Sequence, residues 1–257
     1  MSLAAQGVGV VRGGQHLLRD VDVAVRAGEV LAIIGPNGAG KSTLLSSLAG
    51  DQAPSTGSVT LDGQPLGGYS LEALARRRAV MRQVTSIVFD FLVHEVLEMG
   101  WLPDHAGDRG VRREALDTLV AACELGRLLT RRFNTLSGGE QQRVHMARAL
   151  LQIWPDDTLD GARYLLLDEP TSSLDLAHEL LLLRLIARRA HEDAGAVVVM
   201  HDLNLAARFA DRILLLHQGE VRAAGTTDEV MNAELLTDVY RTPVRIAHDD
   251  NRVLVLT

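Results

Sequence analysis

The stretch that decides the fold of this chain is Gly35-Pro36-Asn37-Gly38-Ala39-Gly40-Lys41-Ser42-Thr43. It fits G-x-x-x-x-G-K-S, the P-loop pattern of a glycine-rich turn whose backbone N–H groups surround phosphates. An apolar, β-branched run at 30–34 comes before it, and a helix-compatible segment at 42–49 comes after it. Because the N–H groups and the positive end of the helix dipole converge in such a turn, we predict a nucleotide-binding site.

A second predicted strand ends in two carboxylates. Asp168 and Glu169 follow the apolar run 165–167, at the carboxyl end of a strand, where α/β folds bind ligands. Asp168 is placed to hold Mg²⁺ through water, and Glu169 to polarise the attacking water. In the P-loop, Lys41 would neutralise phosphate charge and the Ser42 hydroxyl would ligate Mg²⁺. Two acids at a strand end are often plain surface residues, but the P-loop favours the catalytic interpretation.

A histidine stands at the end of another predicted strand. His201 follows the apolar run 197–200. A lone histidine is usually structural or solvated, yet this position lets the ring reach the γ-phosphate from the same rim of the sheet. We predict that His201 orients the phosphate and the water by hydrogen bonding, and either ring nitrogen can serve.

The composition excludes several classes of protein. The 257 residues are 47% hydrophobic and 23% charged, and the net charge of −7 opposes nucleic-acid binding through a basic face. The single cysteine, Cys123, excludes an internal disulfide framework. We find no signal-peptide pattern at the N-terminus and no apolar run near the ~18 residues of a membrane span. We expect a cytosolic protein, or one that reaches a membrane through a partner.

The chain alternates strands and helices in a way that predicts a parallel sheet of the α/β class. Antiparallel strand patterns come first, around the turns at 13–14 and 62–63. The segment 84–149 is mostly helical in its periodicity, with a loop near 103–110. We therefore predict a nucleotide-binding core, residues 1–83 and 150–257, divided by a helical subdomain at 84–149. Other predicted elements are strands at 163–167, 196–200, 212–217 and within 243–256, and helices at 70–78, 139–152, 174–191 and 203–210.

A second candidate anion site lies in the helical segment. The run Leu136-Ser137-Gly138-Gly139-Glu140-Gln141 opens a predicted helix. Ser137 can cap this helix, and the two glycines leave backbone N–H groups uncovered. Its place in the helical segment raises the question whether it can fold back onto the P-loop of its own chain.

Together these motifs resemble the ATP-binding subunits of ABC transporters over essentially the whole chain. The resemblance rests on the P-loop, the runs 136–141, 167–171 and 173–175, and His201. It implies a P-loop NTPase with a RecA-like core and parallel sheet, an N-terminal antiparallel β subdomain and a helical ABC subdomain. It also implies ATP and Mg²⁺ as the cofactors.

The resemblance further implies a head-to-tail dimer, with ATP between the P-loop of one subunit and the signature segment of the other. Ser137, Gly138 and Gly139 would contact the γ-phosphate of the partner's ATP, and Asp175 would lie at the dimer seam. Gln83 stands where the family has its Q-loop glutamine, which would bind Mg²⁺, sense the γ-phosphate and assist catalysis.

At one position the chain departs from the family. Where the family has an aromatic residue that stacks on adenine, before a Gly-Gly pair, this chain has Arg12. A guanidinium can also stack on a base, so Arg12 is the predicted adenine contact and the choice of base stays open.

Within the family, the runs 168–178 and 201–208 resemble importers for iron complexes and cobalamin. The connection that begins at 152–157 and the segment 89–96 are similar to bacterial hemin-import ATPases. This implies haem uptake driven by ATP hydrolysis at the cytoplasmic face of the inner membrane. Two permease subunits and, indirectly, a periplasmic haem-binding protein would be partners. A siderophore or cobalamin importer is the alternative, and a soluble ABC protein or a scaffold without turnover is disfavoured.

Contact with the permease would involve the groove near Gln83 and the helical segment. Phe89, Phe91 and Leu92 are apolar residues next to it, and core packing explains them equally well. The nine histidines show no paired spacing that suggests axial ligation of haem, so we expect haem not to touch this subunit.

Overall fold

The structure, a computed structural model, describes residues 1–83, 87, 89–102, 109–155, 161–249 and 252–257. The strands in these ranges are β1 (Ser2–Arg12), β2 (Gln15–Arg26), β3 (Val30–Ile34), β4 (Thr56–Leu61), β5 (Gln64–Pro65), β6 (Arg78–Met81), β7 (Arg163–Asp168), β8 (Ala194–Val199), β9 (Arg212–His217), β10 (Glu220–Gly225), β11 (Arg245–Asp249) and β12 (Arg252–Leu256). The helices are α1 (Lys41–Leu48), α2 (Leu71–Arg77), α3 (Val93–Glu98), α4 (Arg109–Ala122), α5 (Gly138–Gln152), α6 (Leu176–Asp193), α7 (Leu203–Phe209), α8 (Thr227–Val230) and α9 (Ala233–Tyr240).

The N-terminal segment forms an antiparallel sheet of four strands, in the order β2-β1-β4-β5. β1 and β2 pair along their whole lengths, with irregularities in register that bend the hairpin. Gly13 and Gly14 form its turn with positive φ angles of 58° and 79°, which suits a tight hairpin. This confirms the antiparallel pair predicted around these glycines.

The second sheet has six strands in the order β10-β9-β3-β8-β7-β6. All of its neighbouring strands pair in parallel, except that β10 pairs antiparallel to β9. Every residue of β3, β7 and β8 is buried. Strands covered on both faces need continuous apolar runs, which is why the runs at 30–34, 165–167 and 197–199 could be recognised.

Successive residues of the central strands enter two different hydrophobic cores. Leu31 and Ile33 of β3 pack with residues of the antiparallel sheet and α1. Ala32 and Ile34 pack instead with the helical side of the molecule. Because side chains alternate along a strand, the parallel sheet is the middle layer between these two cores. Its parallel strands all end at one edge, and the segments that follow them meet there.

The segment 93–152 holds α3, α4 and α5, and no strand runs through its described residues. The buried Arg143 of α5 donates from Nη1 to the carbonyl oxygens of Cys123 and Glu124, over 2.8 and 2.9 Å, which ties α5 to the residues after α4. The predicted boundary at residue 149 falls inside α5. The loop expected near 103–110 lies mostly outside the described residues. None of the described helices has the length and apolar character needed to cross a membrane.

Helix caps explain where several helices begin. α6 begins two residues later than predicted, because the Asp175 side chain accepts from the backbone N–H of His178 over 2.9 Å and caps the helix. A capping box at 226–229 opens α8, and α9 follows it. The tail forms the hairpin β11–β12. The Asn204 side chain of α7 bonds both the N–H and the carbonyl of Val255, over 2.8 and 3.1 Å, and holds this hairpin.

The buried Tyr164 and the partly buried Tyr69 provide a test of the fold, because their replacement by phenylalanine should change stability in opposite directions. Tyr164 of β7 is fully buried, burial raises the pKa of its phenol, and its hydroxyl has no hydrogen-bond partner among the described residues. The Tyr69 hydroxyl instead donates to the carbonyl of Leu61 over 2.9 Å. We expect Tyr164→Phe to raise the free energy of unfolding by about 1 kcal/mol and Tyr69→Phe to lower it by about the same amount, in urea titrations followed by circular dichroism. A loss of stability in Tyr164→Phe would contradict this account of the core.

Candidate functional site

The P-loop connects β3 to α1 and depends on glycine at two positions. Gly35 has a φ of 148°, and a Cβ there would overlap the carbonyl oxygen of Leu216. Gly40 has a φ of 103°, and a Cβ there would lie 2.8 Å from the carbonyl oxygen of Leu17. Gly40 is also the N-cap residue of α1, and no described side chain caps this helix. The first N–H groups of α1 therefore have no acceptor in the helix and are available to an anion.

The Lys41 amine lies inside the loop. Its Nζ donates to the carbonyl oxygens of Gly35, over 2.8 Å, and Pro36, over 3.0 Å. Burial lowers the pKa of Lys41, while the nearby charges of Glu169 and Asp168 act in the opposite direction. A buried amine that bonds only carbonyl oxygens is a site at which phosphate oxygens can replace neutral acceptors.

Asp168 is a buried carboxylate at the end of β7. The Ser42 hydroxyl donates to it, and its Oδ1 has no hydrogen-bond partner among the described residues. Burial raises the pKa of Asp168, and the charge of Glu169 raises it further. The predicted pair of Ser42 and Asp168 is therefore brought into contact, with one carboxylate oxygen left over.

Glu169 is held in an unusual conformation next to it. Its φ is 50°, which a residue with a Cβ rarely adopts and which costs on the order of 1–3 kcal/mol. Gln83 Nε2 donates to Glu169 Oε2 over 2.6 Å, and His201 Nε2 shares a hydrogen bond with Glu169 Oε1. The structure thus brings together the three residues that the sequence predicted as catalytic.

A cavity of about 440 Å³ joins these groups. The P-loop lines it from Asn37 to Thr43, and Gln83, Glu169 and His201 line the opposite side. Leu17 of β2 also lines it, although the sequence did not single out this residue. Arg12 is exposed at the end of β1 and is not among the lining residues, so its contact with adenine stays a prediction.

A second cavity, also of about 440 Å³, surrounds the signature segment. Its lining includes Ser137, Gly138, Gly139 and Asp175, which the sequence predicted, and Arg127, which it did not. Among the described residues, none lines both cavities. The signature segment therefore does not complete the P-loop cavity of its own chain.

Local chemistry shapes the start of α5 at this second cavity. Ser137 Oγ accepts from the N–H of Glu140 over 3.3 Å, and the Glu140 carboxylate accepts from the N–H of Ser137 over 2.9 Å. The hydrogen bond from this N–H lowers the pKa of Glu140. A Cβ on Gly139 would lie 2.9 Å from the carbonyl oxygen of Ser173, so glycine permits the close approach of this loop.

The oxygen atoms beside the P-loop fit Mg²⁺. Mg²⁺ prefers oxygen ligands and is usually held by one or two carboxylates together with the phosphates of a substrate. Asp168 supplies a buried oxygen without a partner among the described residues, and the Ser42 hydroxyl lies against it. Gln83 offers an amide oxygen beside them, because it bonds Glu169 through its nitrogen.

The fold and the first cavity define a P-loop nucleotide-binding protein, which has a second cavity at the start of α5. The family model described as ABC transporter matches residues 18–172. The chain belongs to the ABC transporter family and is an ATP-hydrolysing subunit of that family.

Relatives are similar over nearly the whole chain. The hemin import ATP-binding protein HmuV of Rhodopseudomonas palustris (strain HaA2) is 45% identical over 250 residues, which cover 96% of this chain and 94% of the relative. The protein of the same description from Streptomyces coelicolor is 48% identical over 244 residues, covering 95% and 84%.

Solved structures share the fold. A structure of an ATP binding subunit of an ABC transporter has a TM-score of 0.82 at 26% identity and covers 93% of this chain and 100% of that chain. An inward-facing ABC transporter described as of metal-chelate type has a TM-score of 0.77 at 26% identity, covering 99% and 96%. A dimeric bacterial ABC transporter cassette has a TM-score of 0.74 at 28% identity, covering 88% and 98%. The predicted fold class is confirmed.

The raised pKa of Asp168 generates a prediction about stability. The pKa of this carboxyl is higher in the folded chain than in the unfolded chain. At pH values above the folded-state pKa the ionised carboxylate therefore destabilises the fold, and this destabilisation is lost as the pH falls through that pKa. Asp168→Asn keeps an oxygen for Ser42 and removes the charge. We expect it to raise Tm at pH 7, without nucleotide, by about 2–4 °C, the shift for 1 kcal/mol in a chain of this size.

Asp117→Asn is the control for this measurement. Asp117 is exposed and pairs only loosely with Arg113, over 3.7 Å on the same helix. Such pairs contribute little, so Tm should change by no more than about 1 °C. A lower Tm in Asp168→Asn than in the native chain would mean that the Asp168 charge stabilises the fold.

Proposed function

We propose that this chain is the ATP-hydrolysing subunit of an importer that carries haem (hemin) across the inner membrane. The observation that carries the proposal is the contact of Glu169 with Gln83 and His201 beside the P-loop. The assignment of haem as the cargo is supported by relatives described as hemin import proteins, 43–48% identical over more than nine-tenths of this chain.

The P-loop would bind the triphosphate of ATP. The N–H groups at the start of α1 and the Lys41 amine would bind phosphate oxygens, and Lys41 would exchange its bonds to Gly35 and Pro36 for charged acceptors. Asp168, Ser42 and Gln83 would hold Mg²⁺, which when bound neutralises charge on the phosphates. Leu17 would contribute an apolar surface on the side of β2. Arg12 stays the proposed contact for adenine.

Glu169 would act as the general base for the attacking water. In this structure Gln83 and His201 each bond one of its carboxylate oxygens, so the two residues fix the direction in which the carboxylate faces. Glu169 would accept a proton from the water as the water attacks the γ-phosphate. His201 would at the same time donate a hydrogen bond to a γ-phosphate oxygen and stabilise the charge that develops there.

A second copy of the chain would complete each ATP site. The signature residues Ser137, Gly138 and Gly139 line a cavity of their own, together with Asp175, and no residue that the structure describes lines both this cavity and the P-loop cavity. In a head-to-tail dimer these groups would bind the ATP held by the partner. A similar solved cassette is a dimer, which supports this arrangement.

The chain would bind two permease subunits through the segment before α3. Phe89 is 72% exposed, whereas Phe91 is partly buried and packs against the core. Of the apolar residues considered from the sequence, Phe89 is therefore the proposed permease contact. This interaction would place the subunit at the cytoplasmic face of the inner membrane, and a periplasmic haem-binding protein would deliver the cargo to the permease.

An importer for siderophores or cobalamin is the second candidate, because such systems share the same motifs.

The role of Glu169 can be tested by Glu169→Gln. We expect this variant to bind Mg-ATP with native affinity, to lose about 10²- to 10⁴-fold in turnover and to accumulate as a dimer in size-exclusion chromatography with ATP. Glu72→Gln, at an exposed acid of α2, is the control and should keep native turnover. Unchanged phosphate release in Glu169→Gln would remove Glu169 from the role of base.

The cargo and the permease contact can be tested together in vesicles. The chain is reconstituted with the permease subunits that it is proposed to bind, and the uptake of haem, cobalamin and a ferric siderophore is compared. We expect uptake of haem alone, and we expect Phe89→Asp to reduce it about tenfold or more, because an unpaired carboxylate is costly to bury in an apolar contact. ATP binding by the free subunit should not change.

Leu71→Asp is the matched control for Phe89→Asp. Leu71 is 85% exposed on α2 and is equally apolar, so a general effect of a surface charge would appear in both variants. Native haem uptake in Phe89→Asp would exclude Phe89 from the interface. Uptake of cobalamin or the siderophore in place of haem would overturn the cargo and leave the ATPase assignment intact.

A further inference from the structure

One buried side chain links the signature helix to the catalytic segment of the same chain. Gln142 of α5 is only 8% exposed. Its Nε2 donates to the carbonyl oxygen of Glu169 over 2.9 Å, and its Oε1 accepts from the N–H of Ser173 over 3.2 Å. A single amide therefore pairs with two backbone groups on either side of the turn that follows β7.

These bonds hold Glu169 in its strained conformation. The N–H of Glu169 donates to the carbonyl of Val199 over 3.2 Å, and the carbonyl of Glu169 accepts from Gln142. The main chain is thus held on both sides of the residue with a φ of 50°. Such a conformation persists only where the surrounding structure imposes it. Val199 of β8 supplies one part of this constraint, and Gln142 of α5 supplies the other.

The N-terminal end of α5, where Gln142 lies, also lines the second cavity. Gln142 lies five residues after Ser137, which caps α5, so about 7.5 Å of helix separates the two. The carbonyl oxygen of Ser173 also lies close to Gly139, in the first turn of α5, where a Cβ would be only 2.9 Å from that oxygen. The first turns of α5, Ser173 and Glu169 are therefore joined into one contiguous unit.

We propose that Gln142 is a positioning residue that fixes Glu169 and Ser173 to the signature helix, so that the signature segment and the catalytic carboxylate of one chain move together. In the dimer proposed above, on which this inference rests, ATP bound against Ser137 and Gly139 would then influence the carboxylate that serves the other ATP. Gln142 touches neither nucleotide and acts through Glu169.

The expected effect of losing the amide follows from the bonds. Gln142→Leu leaves the Ser173 N–H without this acceptor, and it leaves the Glu169 carbonyl with the longer bond from the Ser172 N–H, over 3.4 Å, so the turn is less constrained. A displacement of about 1 Å at a reacting group can cost up to about 100-fold in rate. We therefore expect kcat to fall about 10- to 100-fold, whereas KM for ATP changes by less than about threefold, because the P-loop contacts are intact.

The test measures kcat, KM and the Hill coefficient for ATP with the full-length chain. Gln142→Leu should lower kcat and bring the Hill coefficient towards 1, since the two ATP sites lose their link. Gln142→Glu is the second variant, because it keeps an acceptor for Ser173 but has no donor for Glu169. It should lower kcat in the same way, and it tests the proposal even if Gln142→Leu folds poorly.

Gln152→Leu is the matched control. Gln152 lies at the other end of α5, and its Nε2 donates to two backbone carbonyls, those of Ala75 and Arg78, over 2.9 and 3.0 Å. Its loss should reduce thermal stability by a similar amount and leave kcat and the Hill coefficient unchanged. Equal falls of kcat in Gln142→Leu and Gln152→Leu would show a general effect of weakening α5 and would overturn the proposal.

The outcomes separate this inference from the function on which it rests. Native kcat and Hill coefficient in both Gln142 variants would overturn the inference while Glu169→Gln still loses turnover. Native turnover in Glu169→Gln would instead overturn the role of Glu169, whatever the Gln142 variants do. A rise in KM without a fall in kcat would place Gln142 in nucleotide binding and would also overturn the proposal.

Discussion

The parallel pairing of β3, β7 and β8 is the constraint on which the rest of this molecule depends. The three strands run side by side in register, so their carboxyl ends meet at one edge of the sheet. The segments that follow them carry the P-loop, the pair Asp168 and Glu169, and His201. Each strand can hold this place because both of its faces are apolar and enter separate cores. Burial of the sheet thereby determines where the polar chemistry is brought together.

The site formed at this edge concentrates groups that folding alone would not favour. Burial lowers the pKa of Lys41 and raises that of Asp168, and Glu169 adds a second carboxylate with a positive φ. Burial disfavours the charged forms of Lys41 and Asp168, although opposite charges offset part of the cost. Strain and perturbed ionisation are typical of sites shaped for a ligand and its chemistry. A phosphate chain and a cation would supply the missing partners.

The molecule holds two cavities, each beside the N-terminus of a helix, that belong to different layers. The first is attached to the central sheet through α1, and the second is attached to the helical segment through α5. The Gln142 amide bridges the turn after β7 and the helix that opens at the second site, while Arg143, the next residue, ties the same helix to the carbonyls after α4. α5 is therefore the element through which the helical segment and the catalytic edge are connected.

By itself the sequence determined what local patterns encode. The P-loop with its strand and helix, the carboxylates after β7, His201 and the cap at Ser137 could all be predicted, since each depends on residues close together in the chain. Only the tertiary structure decided which distant groups meet. It brought Leu17 to the P-loop cavity, joined Gln142 to the turn after β7, and left Phe89 exposed while Phe91 packs against the core. These contacts depend on packing between elements far apart in sequence, and a local pattern of apolar residues does not predict which distant side chains will be in contact.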